Sequence, residues 1–390
     1  MASAAVEAPS GAAERAWNEL REAMAEAAQT IVGPGGARNA LERAEGFRYL
    51  TRLLSAGLEM RLEKADATRP AFTRMLTPTR KFLGDNPDTL YEYVPLDGSL
   101  SYRVRGRRGS EIYLAFCVYE RDAEGGTRIG ANLSDAEMRF EDDGSFEVIL
   151  STAQPWGAKN WLALSPRAHS MIARQYFRDR NWEAPASFEI EAFSQTDPPA
   201  ALTEEELAER LASVGRFLKE TSQLSAALSM FAALNPIGGE LQPALEVVAG
   251  ELREGRSSAR DLAASIDPKV VAGHLPTPDI QYTGAWWSLE PDEAVIAEGV
   301  APLCRYWSIQ IFNRWLESPD YRYRQVALND SQITLEDDGS FRAVLAARNP
   351  GVPNWIDTAG HDGGQIVVRA LLAKEALDVK FRVTKLCEVA

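Results

Sequence analysis

Histidine is scarce in this chain, and one of its three copies stands in company that could do chemistry. His361 follows Asp357 by four residues in a loop of Thr, Ala and Gly. An aspartate so placed can orient an imidazole for proton transfer near neutral pH. The plainer alternative is that Asp357 caps a turn and His361 bonds to backbone. A second acid–base set is Tyr91 with Asp88, a phenol beside a carboxylate, which would suit elimination, isomerisation or hydrolysis. Asn86 lies two residues before Asp88 and would contact a ligand from the same loop. Asx–Pro pairs also make turns, so Asp85-Asn86-Pro87-Asp88 reads first as a loop entering a strand.

Arg174 and its neighbours Gln175 and Tyr176 sit in an otherwise apolar strand-like run, Ile172 to Phe177. A buried arginine needs an acidic partner or an anionic ligand, because an unpaired charge in a core is costly. Asp179 or Asp88 would supply an internal ion pair, the simpler account; Arg174 holding an anionic ligand, with Tyr176 beside it, is the functional one. Trp286, Trp287, Trp307, Trp315 and Trp355 crowd the last third of the chain. Flat apolar ligands and sugar rings stack on such faces, but the same residues fill cores, which is the reading favoured here. Trp307, Asn329 and Asn354 complete the set of candidate ligand contacts.

Several signals are missing. There is no Gly-rich phosphate loop, no Gly-x-Ser-x-Gly elbow and no His-Glu-x-x-His run. Three scattered histidines make a poor metal cluster, although carboxylate-only sites stay open, so the expectation is no metal and no cofactor. The net charge of −14 opposes binding to a phosphate backbone, so no nucleic acid partner is expected. Cys117, Cys304 and Cys387 have no motif spacing. No run approaches the roughly 18 apolar residues of a membrane span, and no leader is evident, so a cytoplasmic location is expected.

The elements that would position these residues come in two kinds. Trp17, Leu20, Met24, Ala27 and Ile31 form one helical stripe, and Leu41, Ala44, Phe47, Leu50, Leu54, Leu58 and Leu62 form another. Gly33-Pro34-Gly35-Gly36 breaks the chain between them, giving a helical hairpin expected to dock on the β unit that follows. From about Tyr91 the apolar period becomes two, as in Tyr102 and Val104 against Arg103 and Arg105. The chain then repeats itself. Glu-Asp-Asp-Gly-Ser-Phe occurs at Glu141–Phe146 and at Glu336–Phe341. Asn160-Trp161 recurs as Asn354-Trp355, and Arg174 as Arg369, at a shift of about 194 residues. Asp-Gly in the repeated hexapeptide marks a hairpin turn.

The predicted organisation is an N-terminal helical region (1–84), a first β-sandwich (85–198), a helical insert (199–275) and a second β-sandwich (276–390). Each sandwich holds roughly eight short strands, in an α+β, jelly-roll-like fold. The insert opens with a capping box, Thr203 and Glu206, and reads as helices over Thr203 to Leu218, Ser222 to Leu234 and Leu241 to Ile266. Its Ala-rich helices are expected to bridge the units or make a homo-oligomer contact.

The runs GDNPDTLYEY, SYRVRG, NWLALSPRAHSMIARQYFRD and PNWIDTAGHDGGQIVVRALL resemble the bacterial proteins that carry domain of unknown function 1214, from about Ala44 to the C-terminus. The resemblance implies a jelly-roll-like β fold, similar in layout to the paired sandwiches of peptide N-glycanases, and implies no activity. From the residues themselves, the expected function is cofactor-independent acid–base chemistry (a hydrolase, lyase or isomerase) on a small, partly apolar molecule. The alternatives are a carbohydrate- or small-ligand-binding module, or an assembly protein without catalysis.

Overall fold

A computed structural model describes residues 11–121, 127–179, 181, 183–193, 201–233, 237 and 277–389. Three helices, α1 (Ala12–Val32), α2 (Ala40–Leu58) and α3 (Glu204–Ala233), pack together beside two β-sandwiches. A two-residue strand, β1 (Thr73–Arg74), precedes the first sandwich and pairs with its leading strand. That sandwich comprises β2 (Thr89–Pro95), β3 (Tyr102–Arg107), β4 (Tyr113–Arg121), β5 (Thr127–Ser134), β6 (Ser145–Ser151), β7 (Trp161–Ala163), β8 (Ala168–Tyr176) and β9 (Ser187–Ala192). The second comprises β10 (Ile280–Ser288), β11 (Glu293–Val300), β12 (Tyr306–Phe312), β13 (Ala327–Asn329), β14 (Ser340–Ala346), β15 (Trp355–Asp357), β16 (Gly363–Leu371) and β17 (Val379–Lys385).

The strand orders match one for one. Sheets β2-β8-β4-β5 and β7-β6-β3-β9 of the first unit correspond to β10-β16-β12-β13 and β15-β14-β11-β17 of the second, with β1 added at one edge. Even the single parallel pair recurs, as β6–β7 and β14–β15. The repeated residues explain why. Gly144 and Gly339 take φ of +82° and +81°, which glycine alone adopts without strain, and so close the two Asp-Gly hairpins. The Asn160 side chain donates to the carbonyls of Arg139 and Glu147 and accepts from the Arg139 N–H. Asn354 does the same with Thr334 and Arg342.

The two faces of each sandwich differ. On β3, β6 and β9 the outward residues include charged ones that pair across strands, Arg103 with Glu191 and Arg105 with Glu147. This places Arg103 and Arg105 in ion pairs on a sheet surface. The outer face of β2-β8-β4, by contrast, is covered twice. The helices cover one part, through Ala27, Tyr49, Leu53, Met60 and Phe217 against Tyr93, Cys117, Tyr119 and Ile172. The second sandwich covers the rest, where Tyr113, Ala115 and Tyr176 meet Ile280, Tyr306 and Leu371. Double coverage is why β12 is buried at every position and β4 at every position but its last, rather than at alternate ones.

The helices depart from the stripes read in sequence. Trp17 and Met24 on α1 are exposed, as are Leu41, Phe47 and Leu58 on α2. The buried face of α2 is Glu42, Glu45, Gly46, Tyr49, Leu53, Ala56 and Gly57. Two glycines and two carboxylates carry no apolar signal, so the expected stripe, of which Leu50, Leu54 and Leu62 do pack against the core, is offset from the buried face. Gly46 lets α2 approach so closely that a Cβ there would stand 2.8 Å from Ile31 and Trp315. The insert's first two expected helices form one continuous α3, capped by Thr203 accepting from the Glu206 N–H at 3.1 Å. The expected third helix, Leu241 to Ile266, lies outside the described residues. Among the described residues no helix is long and apolar enough to cross a membrane.

Candidate functional site

The seam between the sandwiches gathers several of the predicted residues. Asp88 stands just before β2, and its carboxylate accepts from the Tyr306 hydroxyl at 2.8 Å and the Asn329 amide at 2.9 Å, both of the second unit. Asp279 stands just before β10 and accepts from the Tyr113 hydroxyl and, at 2.8 Å, from Asn132, both of the first unit. The backbone carbonyls of these aspartates accept from Phe177 and Leu372, one residue past β8 and β16. Asn86 accepts from the Asp88 N–H in a local turn, and its amide lies 3.4 Å from the Tyr306 hydroxyl. Tyr176 packs edge-on against Tyr113 and Tyr306. Two bidentate ion pairs flank the seam, Arg305 with Asp135 and Arg178 with Asp330. Asp88, Asn86, Asn329 and Tyr176 therefore work as fastenings between the units.

Arg174 is buried in the same region. It donates to the Tyr119 hydroxyl at 2.7 Å, and its guanidinium lies over the rings of Tyr91 and Tyr119. Asp179, expected as a counter-ion, is turned into its own loop, where it accepts from the Asn181 N–H. Trp307 lies in the core of the second sandwich against Phe341, and Asn354 is committed to the backbone bonds given above, so neither is presented to a ligand.

His361 and Asp357 do not form a pair. Asp357 binds Arg324 at 2.8 Å and caps the Ala359 N–H, at a backbone position where Ala359 has φ of +56°. His361 Nε2 lies 2.8 Å from the Glu45 carboxylate of α2, and Nδ1 lies 2.9 Å from the Thr358 carbonyl. Glu45 also accepts from Asn313 and Arg48. Burial opposes a charge on His361, but the hydrogen bond and negative charge of Glu45 outweigh it and raise the imidazole above its ordinary value. Burial likewise works against the Glu45 carboxylate, yet His361, Asn313 and Arg48 together hold it below the usual range. This pair ties α2 to the second sandwich.

A cavity of about 630 Å³ lies elsewhere, between α3, the π-helical turn Glu59–Glu63 that extends α2, and the outer face of the first sandwich. Its apolar lining includes Met60, Met75, Phe82, Ile172, Phe217 and Leu224. Among the described residues, Arg61, Arg121 and Arg216 line it with the carboxylate of Glu220. Arg61 lies within the π turn, donates to the Tyr93 hydroxyl at 2.7 Å and lies over the Tyr93 and Phe217 rings. His169 lines the same cavity, with Nδ1 at 3.0 Å from the Ser170 hydroxyl and Nε2 buried without a hydrogen-bond partner among the described residues. Burial, helped by the charges of Arg121 and Arg61, pushes its pKa down to about 4, so the ring is neutral at pH 7. Sequence reasoning passed over this site. Its residues are scattered from Met60 to Leu224, and only His169, one of the three histidines, is a visible signal in the sequence.

A family model described as "Protein of unknown function (DUF1214)" matches residues 92–178 and 294–375, one segment inside each sandwich. An uncharacterised protein from Burkholderia cenocepacia, solved by crystallography, is 32% identical over 96% of this chain and 98% of its own, with a TM-score of 0.80. A protein from Vibrio parahaemolyticus is 13% identical over 94% of this chain and 100% of its own, with a TM-score of 0.46. No curated protein matches.

Proposed function

We propose, for a chain that belongs to the DUF1214 family and takes no activity from that name, that it binds a small, partly apolar anion in the cavity between α3 and the first sandwich. The observation that carries this reading is the cavity's lining, Arg61 and Arg216 with the single carboxylate Glu220 over an apolar floor, in a protein whose net charge is −14. The fold as a whole repels anions, and this lining draws them. A carboxylate fits the donors. Arg61 is held in place by Tyr93, and the neutral His169 ring has an unsatisfied Nε2 that can meet a ligand oxygen in the tautomer protonated there. The methionines and phenylalanines would take an alkyl or aromatic body.

Binding is favoured over acid–base turnover because the four residues expected to move protons divide between the seam and the α2 junction. The test is calorimetric titration with sodium octanoate, using octanol and octylamine as neutral and cationic controls. We expect saturable octanoate binding, with Arg61→Leu weakening it by about 10- to 100-fold, the worth of one charged hydrogen bond. Equal binding of all three probes, or octanoate binding untouched by Arg61→Leu, would overturn the reading.

A further inference from the structure

We propose that the seam between the sandwiches holds one small oxyanion, a dicarboxylate or phosphate, seated between the buried guanidiniums of Arg369 and Arg174. This site stands apart from the cavity under α3 and does not depend on it. Arg369 is 3% exposed, and its one side-chain hydrogen bond among the described residues is a long one, 3.4 Å to the Gly84 carbonyl across the seam. Its Nε is buried with no partner among the described residues, and no described carboxylate forms an ion pair with it. A guanidinium cannot shed its proton to escape such burial, so an unmet donor there calls for an anion.

Symmetry supplies the second half of the site. Arg174 and Arg369 occupy equivalent places on β8 and β16, and each faces an equivalent tyrosine in register, Tyr91 on β2 and Tyr282 on β10. Each guanidinium lies over its own tyrosine, 5.8 Å and 5.7 Å from the ring centres. The two halves meet, because Tyr282 feels the charge of both arginines and Arg369 feels both tyrosines. The other titratable groups near Arg369 are the phenols Tyr176 and Tyr306, which burial keeps protonated and neutral. The seam aspartates, Asp88 and Asp279, are engaged by Tyr306 with Asn329 and by Tyr113 with Asn132. Tyr91 and Tyr282 are only half-buried by accessible area. Burial pushes the Tyr282 phenol up, so its hydroxyl stays protonated and can donate. Two forked cations and two phenol donors, related by an approximate two-fold, match a compact anion with oxygens at both ends.

The experiment is calorimetric titration of the full chain, in chloride buffer at fixed ionic strength, with sodium malonate and separately with inorganic phosphate. We expect one saturable site per chain for at least one of the two, and which one binds distinguishes a dicarboxylate from a phosphate ligand. Arg369→Met should weaken it at least about tenfold, and the milder Tyr282→Phe about three- to tenfold. Tyr282→Phe removes one hydroxyl and keeps the packing, so it decides the matter if Arg369→Met does not melt cooperatively. No binding of either anion to the wild-type chain, or undiminished binding to Tyr282→Phe, would overturn the proposal.

Discussion

Two histidines in this protein sit in opposite electrostatic situations, and stability should respond to each with opposite sign. His361 is raised by Glu45, so its contribution is full below the free imidazole value of 6.5 and is lost as pH rises through the folded value. Glu45 is lowered, so its contribution is present above 4.5 and is lost as pH falls through its folded value. The tie between α2 and the second sandwich is therefore strongest from about pH 4.5 to 6.5. His361→Gln should cost about 1–3 kcal/mol at pH 6 in urea denaturation, and the difference should shrink by pH 9. A gap that stays constant with pH would mean the pair is not ionic. His169 works the other way, neutral in the fold down to about pH 4, so it removes stability as pH falls below 6.5. From sequence His361 was visible as a rare titratable residue, but its partner was not. Glu45 lies 316 residues away, and Asp357, the nearer carboxylate, is taken by Arg324.

The strands were far more legible than the helices, for a physical reason. A strand that repeats within the chain announces itself twice, and its hairpins need glycine at fixed places, as Gly144 and Gly339 show. The seam aspartates could have been found the same way, since Pro87-Asp88 and Pro278-Asp279 each precede the first strand of a sandwich. The helices have no second copy to compare. Their packing uses small residues and ion-paired carboxylates, which apolar periodicity does not register. This difference is measurable on α2. Gly46→Val should cost about 1–3 kcal/mol by driving a side chain into Ile31 and Trp315. Phe47→Gln, one position on and 44% exposed, should cost less than about 1 kcal/mol. Reversed costs would restore the face read from the sequence.

The molecule as a whole is a duplication folded back on itself. Each sandwich hides one sheet face, partly under its copy and partly under the helices, and the fastenings across the seam are reciprocal. Tyr113→Phe and Tyr306→Phe each remove a donor from an aspartate, so each should cost about 1–3 kcal/mol and the costs should add. In scanning calorimetry the wild-type chain should unfold in one transition and the double variant in two. A single unshifted transition in the double variant would show that the seam is held by something else. The cavity follows from the same arrangement, because the helices bridge only part of the sheet face that the second sandwich leaves uncovered. The most direct measurement is a crystal structure grown with sodium octanoate. The account predicts the carboxylate against Arg61 and His169 with the chain running toward Met75 and Phe82; octanoate seated elsewhere, with the cavity holding only solvent, would contradict it.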